Sequence, residues 1–254
     1  MNITWIALCM LAVLMLAGLS SFARDREPSP ELKVHVVKDA KIKVDGSLDD
    51  EIWSKAASSD HFRLTDGGTI KGKCRLLVVQ DDKNLYVGVE VFASQADLKK
   101  LIATHNTHDA DGIWDDDVVE LFIDPTNQRH SYYEFIMNSK GVTFDAYHSQ
   151  PGKADIGWNP QYQAAAKVGT SSWTAEFALP LSMFDKHPRP QDKWMFNVLV
   201  YRTVDNEYCY WSSVYQESVH APQNFGTLVG LEIPASLPAS RPASGPASRP
   251  SAKP

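Results

Sequence analysis

The residues best equipped for chemistry stand together in Trp114-Asp115-Asp116-Asp117-Val118-Val119-Glu120. A large aromatic and three consecutive carboxylates precede a strand-like run, Leu121-Phe122-Ile123-Asp124, and Glu120 lies within the same run. Carboxylates crowded this closely repel one another unless a cation or a basic side chain shares the site. Calcium takes oxygen ligands and suits extracellular proteins. Asp115, Asp116 and Asp117, with Asp111 from the preceding loop, are therefore the candidate ligands of a structural calcium. Their spacing departs from the EF-hand pattern, and they read equally well as an acidic turn capping the neighbouring strands. His105 and His108, followed by Asp109 and Asp111, form a second and looser metal-type cluster.

Glu90, Glu120, Glu134 and Glu176 each fall in an otherwise apolar strand-like run. A glutamate there needs solvent or hydrogen-bonding partners. On one shared sheet face the four would make a polar surface able to hold hydroxyl groups, with Arg202 and Asn197 contributing or pairing with them. The alternative is a solvated face of Arg–Glu pairs. Trp114 and Trp158 sit in polar, loop-like surroundings and are candidate platforms for stacking on a ring. His130, Met137 and His148 are conceivable axial ligands for haem, although Met137 also reads as core packing; haem is the minor alternative. There is no nucleophile elbow, Walker loop, dinucleotide fingerprint or zincin helix. A glycosidase needs two carboxylates about 5–10 Å apart across a cleft, and the sequence offers too many acids to select a pair.

The elements that must position these residues follow a period of two rather than 3.6. Leu85, Val87, Val89 and Val91 alternate with Tyr86, Gly88 and Glu90, and the pattern recurs at 118–123, 173–179 and 194–201. Further strands are predicted at 33–37, 72–79, 132–138, 142–147, 161–168, 208–212 and 226–232. Turn signals lie between them, among them Asp81-Asp82-Lys83-Asn84, Asn138-Ser139-Lys140-Gly141 and Pro188-Arg189-Pro190-Gln191-Asp192. Helix is confined to short turns near 48–53 and 96–103. Many short strands with turns between them predict an all-β fold with one or two short helices, either an antiparallel β-sandwich of jelly-roll type or a barrel. One sheet face would pack the core and the opposite face would meet solvent or a ligand.

The chain has 254 residues and a formal net charge of −6. No basic run exists to meet phosphates, so nucleic acid is not an expected partner. Residues 3–19 are almost wholly apolar and lead into Ser21-Phe22-Ala23 and then Arg24. This is the pattern of a secretory signal peptide covering 1–23, and the run is short for a membrane span of about 20 residues. Export would leave Cys74 and Cys209 either as one disulfide or as two buried thiols. A short linker over 24–31, a folded unit over 32–234 and a disordered Pro/Ala/Ser-rich tail over 235–254 complete the expected organisation.

Six segments together resemble the family 9 carbohydrate-binding module. They are Val44-Asp45-Gly46-Ser47-Leu48-Asp49-Asp50-Glu51-Ile52-Trp53, Asp82-Lys83-Asn84-Leu85-Tyr86-Val87, and the run from Trp114 to Asp124. Trp173-Thr174-Ala175-Glu176-Phe177-Ala178-Leu179-Pro180, Trp194-Met195-Phe196-Asn197-Val198 and Pro222-Gln223-Asn224-Phe225-Gly226 complete the set, in order, from about Ile42 to Leu231. The resemblance implies a β-sandwich, structural calcium, and binding of an oligo- or polysaccharide by a secreted, non-catalytic domain. In this family two tryptophans sandwich the sugar. Trp114 matches the first, and Glu120 matches a glutamate that bonds hydroxyls. The place of the second tryptophan holds Val219 and His220, so His220 or Trp158 is expected to supply the missing ring. The family's arginine would fall near Ile136, where none stands. A haem-binding electron-transfer domain of the same sandwich type, or an interaction domain that has lost its sugar, are the alternatives.

Overall fold

A computed structural model describes residues 26–184 and 193–232. The expected signal peptide, the C-terminal tail and the 188–192 turn lie outside the described residues.

Alternating side chains build two stacked sheets. The larger contains, in spatial order, β1 (Glu31–Lys33), β14 (Gly226–Val229), β12 (Trp194–Arg202), β6 (Val118–Asp124), β7 (Tyr132–Asn138), β8 (Thr143–His148) and β9 (Ala154–Asp155), with β13 (Glu207–Tyr210) also paired to β12. The smaller runs β10 (Gln163–Val168), β11 (Ser172–Pro180), β5 (Asn84–Phe92), β4 (Lys73–Gln80) and β2 (His35–Val36), with β3 (Ala57–Ser59) paired to β4. Pairing is antiparallel except where β1 meets β14 and β2 meets β4. The only α-helix among the described residues is the single turn α1 (Gln95–Leu98); the remaining helical pieces are 3₁₀ turns, including Glu51–Lys55 and Ile113–Asp115. Among the described residues no helix is long and apolar enough to cross a membrane. Of the two all-β arrangements the strand pattern allows, the one observed is the antiparallel, jelly-roll-like β-sandwich.

The core lies between the sheets. Val119, Leu121 and Ile123 of β6, Tyr133, Phe135 and Met137 of β7, and Trp194, Phe196 and Val198 of β12 meet Leu76, Val87, Val89, Trp173 and Phe177 from the smaller sheet. Each such side chain contributes on the order of 1.5–3 kcal/mol through burial. Trp173 and Trp194 are both in this core, as their phase predicted. Cys74 and Cys209 also face it, from β4 and β13, as free buried thiols.

Because side chains alternate, residues between the core positions point outward from each sheet. On the smaller sheet that outer face is covered by the 40–56 segment, where Ile52 and Trp53 pack on Val79, Tyr86 and Ala178. Glu176 belongs here. It accepts hydrogen bonds from the backbone N–H groups of Asp45 (3.0 Å) and Gly46 (2.8 Å) and from Trp53 Nε1 (3.3 Å). Gly46 has φ of +81°, and a Cβ there would stand 2.6 Å from the Ala166 carbonyl carbon. The Val44-Asp45-Gly46 motif is thus a clasp on the sheet: left-handed backbone in close approach to β10, held by a buried carboxylate. Glu90 shares the same outer face and bonds Ser172 and Arg75. The four glutamates therefore divide, two to each sheet, rather than forming one polar face. Strands whose patterns look alike in the chain belong to different layers.

Candidate functional site

The outer face of the larger sheet carries a groove of about 440 Å³, within the roughly 300–1,000 Å³ usual for small-ligand sites. Glu120 of β6, Glu134 and Ile136 of β7, Phe144 and His148 of β8 and Leu199 of β12 form its floor. These positions are out of phase with the core residues of the same strands. Trp114, Tyr208, Val219 and His220 stand around them, with Asp109 and Asp111 from the preceding loop. Trp114 is carried by the 3₁₀ turn Ile113–Asp115, which Gly112 enters with φ of +87°. The indole is 43% exposed and rests edge-on against Phe144, with ring centroids 6.1 Å apart. Tyr208 stacks on Tyr201 at 4.5 Å and is also exposed.

The floor is a buried hydrogen-bonded network. His148 Nε2 lies 2.8 Å from Glu134 Oε2, and the Tyr132 hydroxyl lies 2.9 Å from His220 Nδ1. Tyr132 stacks on His148 at 4.6 Å, and the His148 and His220 rings are 4.8 Å apart. Burial, then the charge of Glu134 and a hydrogen bond to it, push the Glu120 carboxyl well above its ordinary range. Burial opposes charge on Glu134 as well, but hydrogen bonds from His148 and Glu120 outweigh it and hold Glu134 low. The pair is thus pushed in opposite directions, Glu120 toward the neutral carboxyl and Glu134 toward the carboxylate. Burial holds His220 below its usual value, more than nearby Glu134 can offset. The groove thus offers donors and acceptors side by side beneath an aromatic rim.

The other expected residues lie elsewhere. Trp158 packs against Tyr133 (4.8 Å) and Phe135 (5.7 Å), on the core side of β7, and does not line the groove. Arg202 points from the core face at the end of β12, where its guanidinium bonds Asp205 (2.8 Å) and the Phe92 carbonyl (3.0 Å). It cannot converge with Glu120, because the two project from opposite faces of one sheet. Of the acidic run, Asp111 borders the groove and Asp115 is exposed. Asp116 accepts hydrogen bonds from the backbone and hydroxyl of Thr104, both at 2.8 Å, from the His105 N–H, and from Asn138 Nδ2. Asp117 accepts from the Ile102 and Thr203 N–H groups and from the Thr203 hydroxyl. The four oxygens of Asp116 and Asp117 all accept from protein donors, so these two carboxylates tie loops to strand ends. Met137 faces the core while His148 faces the groove, and they cannot ligate one haem iron. Sequence reasoning gave His148 no part in the floor and left Tyr132 out. Both alternate in phase with Glu134, which was the available signal.

The chain is thus a two-layer β-sandwich with an open, aromatic-rimmed groove on one outer face. Residues 44–232 match the family described as carbohydrate family 9 binding domain-like, and the chain belongs to that family. The family is one of non-catalytic carbohydrate-binding modules. The chain is 30% identical over 140 residues to exoglucanase XynX of Acetivibrio thermocellus, a stretch that is 54% of this chain and 11% of that protein. The chain thus matches only about a tenth of the length of that curated relative. Its fold is similar to a family 9 module of Caldicellulosiruptor kristjanssonii in complex with cellotriose (TM-score 0.55, 17% identity, covering 82% of this chain and 100% of that one). The same holds for a glucose complex from that organism (TM-score 0.55, 16% identity, 81% and 98%).

Proposed function

We propose that the groove between Trp114 and the Glu120–Glu134 pair binds a saccharide, and that the chain is an exported binding domain acting on oligo- or polysaccharide without cleaving it. The observation that carries this reading is the exposed Trp114 ring at the rim of a groove floored by strand-borne carboxyls. A pyranose ring has apolar C–H faces, which stack on an indole, and a hydroxyl rim that both donates and accepts. Glu134, held low, accepts, and the neighbouring Glu120 carboxyl, whose proton faces Glu134, offers its remaining oxygen. His220 lines the wall in place of the family's second tryptophan and supplies a smaller ring there. The cellotriose and glucose bound to the family relatives support a glucan or glucose-terminated ligand. The apolar 3–19 run and Ser21-Phe22-Ala23 support export.

The test is a calorimetric titration of the purified protein against plant and microbial oligosaccharides, alongside Trp114→Ala. The expected result is binding to at least one, weakened tenfold or more by the substitution. Folded protein that binds none of them removes the proposal.

A further inference from the structure

Away from the groove floor, His108, Asp109 and Asp145 bring three ligand atoms together. His108 Nδ1 lies 2.9 Å from the Thr143 carbonyl oxygen and 3.1 Å from its hydroxyl. A carbonyl can only accept, so Nδ1 carries a proton, and in the neutral imidazole Nε2 is the free nitrogen. This is the orientation that an outer hydrogen bond imposes on a metal-binding imidazole. Nε2 stands 3.3 Å from Asp109 Oδ2 and 3.6 Å from Asp145 Oδ1. Ligands at about 2.0–2.2 Å from a tetrahedral zinc are themselves roughly 3.3–3.6 Å apart. Without an ion, a neutral imidazole would aim its lone pair at two carboxylates.

A second observation points the same way. Asp145 is 1% exposed, yet among the described residues its Oδ2 has no hydrogen-bond partner; the Tyr162 hydroxyl reaches only Oδ1, at 3.3 Å. A buried carboxylate oxygen left bare is costly, and an ion at this corner would offset its charge. Asp109 holds a left-handed backbone (φ 58°), its N–H bonds the Thr143 carbonyl at 3.1 Å, and its Oδ1 accepts from the Asp145 N–H at 3.3 Å. The loop is thus already seated on β8 with its carboxylate beside Asp145. His108 is half exposed, which leaves solvent access for a fourth ligand.

We infer that His108, Asp109 and Asp145 bind one divalent transition-metal ion of the zinc class, which fastens the loop leading to Trp114 onto β8. An imidazole with two carboxylates suits zinc, cobalt or manganese better than calcium, which prefers an all-oxygen shell. The inference stands independently of the sugar reading.

The test uses the full chain without a histidine tag, stripped with chelator and titrated with zinc chloride by calorimetry, with cobalt chloride absorption as a second readout. One equivalent is expected to bind, to raise the melting temperature, and to give the absorption of tetrahedral cobalt. His108→Ala, at a half-exposed position, and Asp109→Asn, which tolerates the left-handed backbone, should each weaken binding at least tenfold. His220→Ala should leave it unchanged. No uptake of zinc by the folded protein overturns the assignment. So does uptake that survives both substitutions or is lost in His220→Ala, which would place the ion at Glu134, His148 and His220.

Discussion

Glu120 and Glu134 are diagonal neighbours across β6 and β7: Glu120 stands opposite Ile136 and Glu134 opposite Phe122, so both carboxyls leave the same face of the sheet. Diagonal positions in an antiparallel pair are within reach of long side chains. Two ionised carboxylates there would repel in a buried setting, and with His148 beside Glu134 the neutral form is favoured on Glu120 and the ionised form on Glu134. The asymmetry comes from the neighbours, since both residues are the same amino acid on adjacent strands.

Glutamine mimics a neutral carboxyl and keeps a donor. Glu120→Gln should therefore hold saccharide affinity within about threefold, while Glu134→Gln removes the charged acceptor and should cost about 1.5–3 kcal/mol, tenfold or more. Equal losses measured by calorimetry would contradict the assignment of the proton.

The same proton sets a pH dependence. Glu120 is raised in the folded state above its ordinary value of 4.5. Its contribution to stability is complete below that value and is lost as pH rises through the elevated one. Melting temperatures from pH 4 upward should show the wild type losing ground to Glu120→Gln as pH increases. A difference that is flat, or runs the other way, counts against a protonated Glu120.

Trp114 and Trp158 should separate binding from stability. Trp114→Ala removes an exposed ring and should leave the melting temperature nearly unchanged while saccharide affinity falls. Trp158→Ala opens space beside Tyr133 and Phe135 and should cost about 1–3 kcal/mol of stability with affinity retained. Chemical denaturation and titration of both variants make the comparison.

Asp116 is predicted to be a structural carboxylate. Burial works against its charge, but hydrogen bonds from Thr104, Asn138 and His105 outweigh that and hold it below the usual range. Asp116→Ala leaves those donors bare and should destabilise by about 2–4 kcal/mol. Denaturant titration should give the same loss in calcium and in chelator; a loss confined to calcium-containing buffer would make Asp116 a ligand after all.

Cys74 and Cys209 face one another across the core, and a hydrogen bond between the thiols, together with burial, pushes Cys209 up. A suppressed thiolate is a poor nucleophile. A thiol-reactive chromophore should leave the reduced native protein unlabelled and react with both cysteines once it is unfolded. Rapid labelling of native protein would show that the core opens there.

Much of the fold was legible in the chain because period-two alternation is a local property. Nearly all of β4 to β8 and β10 to β12 fall within a residue or two of the runs read from the pattern. The short β3 and β9 carry too few alternations to register. The turn at Gly46 and the helical turn around Trp53 were visible as a motif, while its purpose, a clasp on Glu176, was not.

Composition and alternation alone determined that this would be an all-β fold, with Trp114 at a strand mouth and Glu120 within the strand. Only the tertiary structure decided which strands share a layer. That choice sent Glu90 and Glu176 to one outer face and Glu120 and Glu134 to the other, turned Arg202 toward the core, and brought His148 and His220 together from 72 positions apart in the chain. Side-chain direction repeats every second residue and can be read locally; strand neighbours are chosen by burial summed over the whole molecule, which no single segment contains.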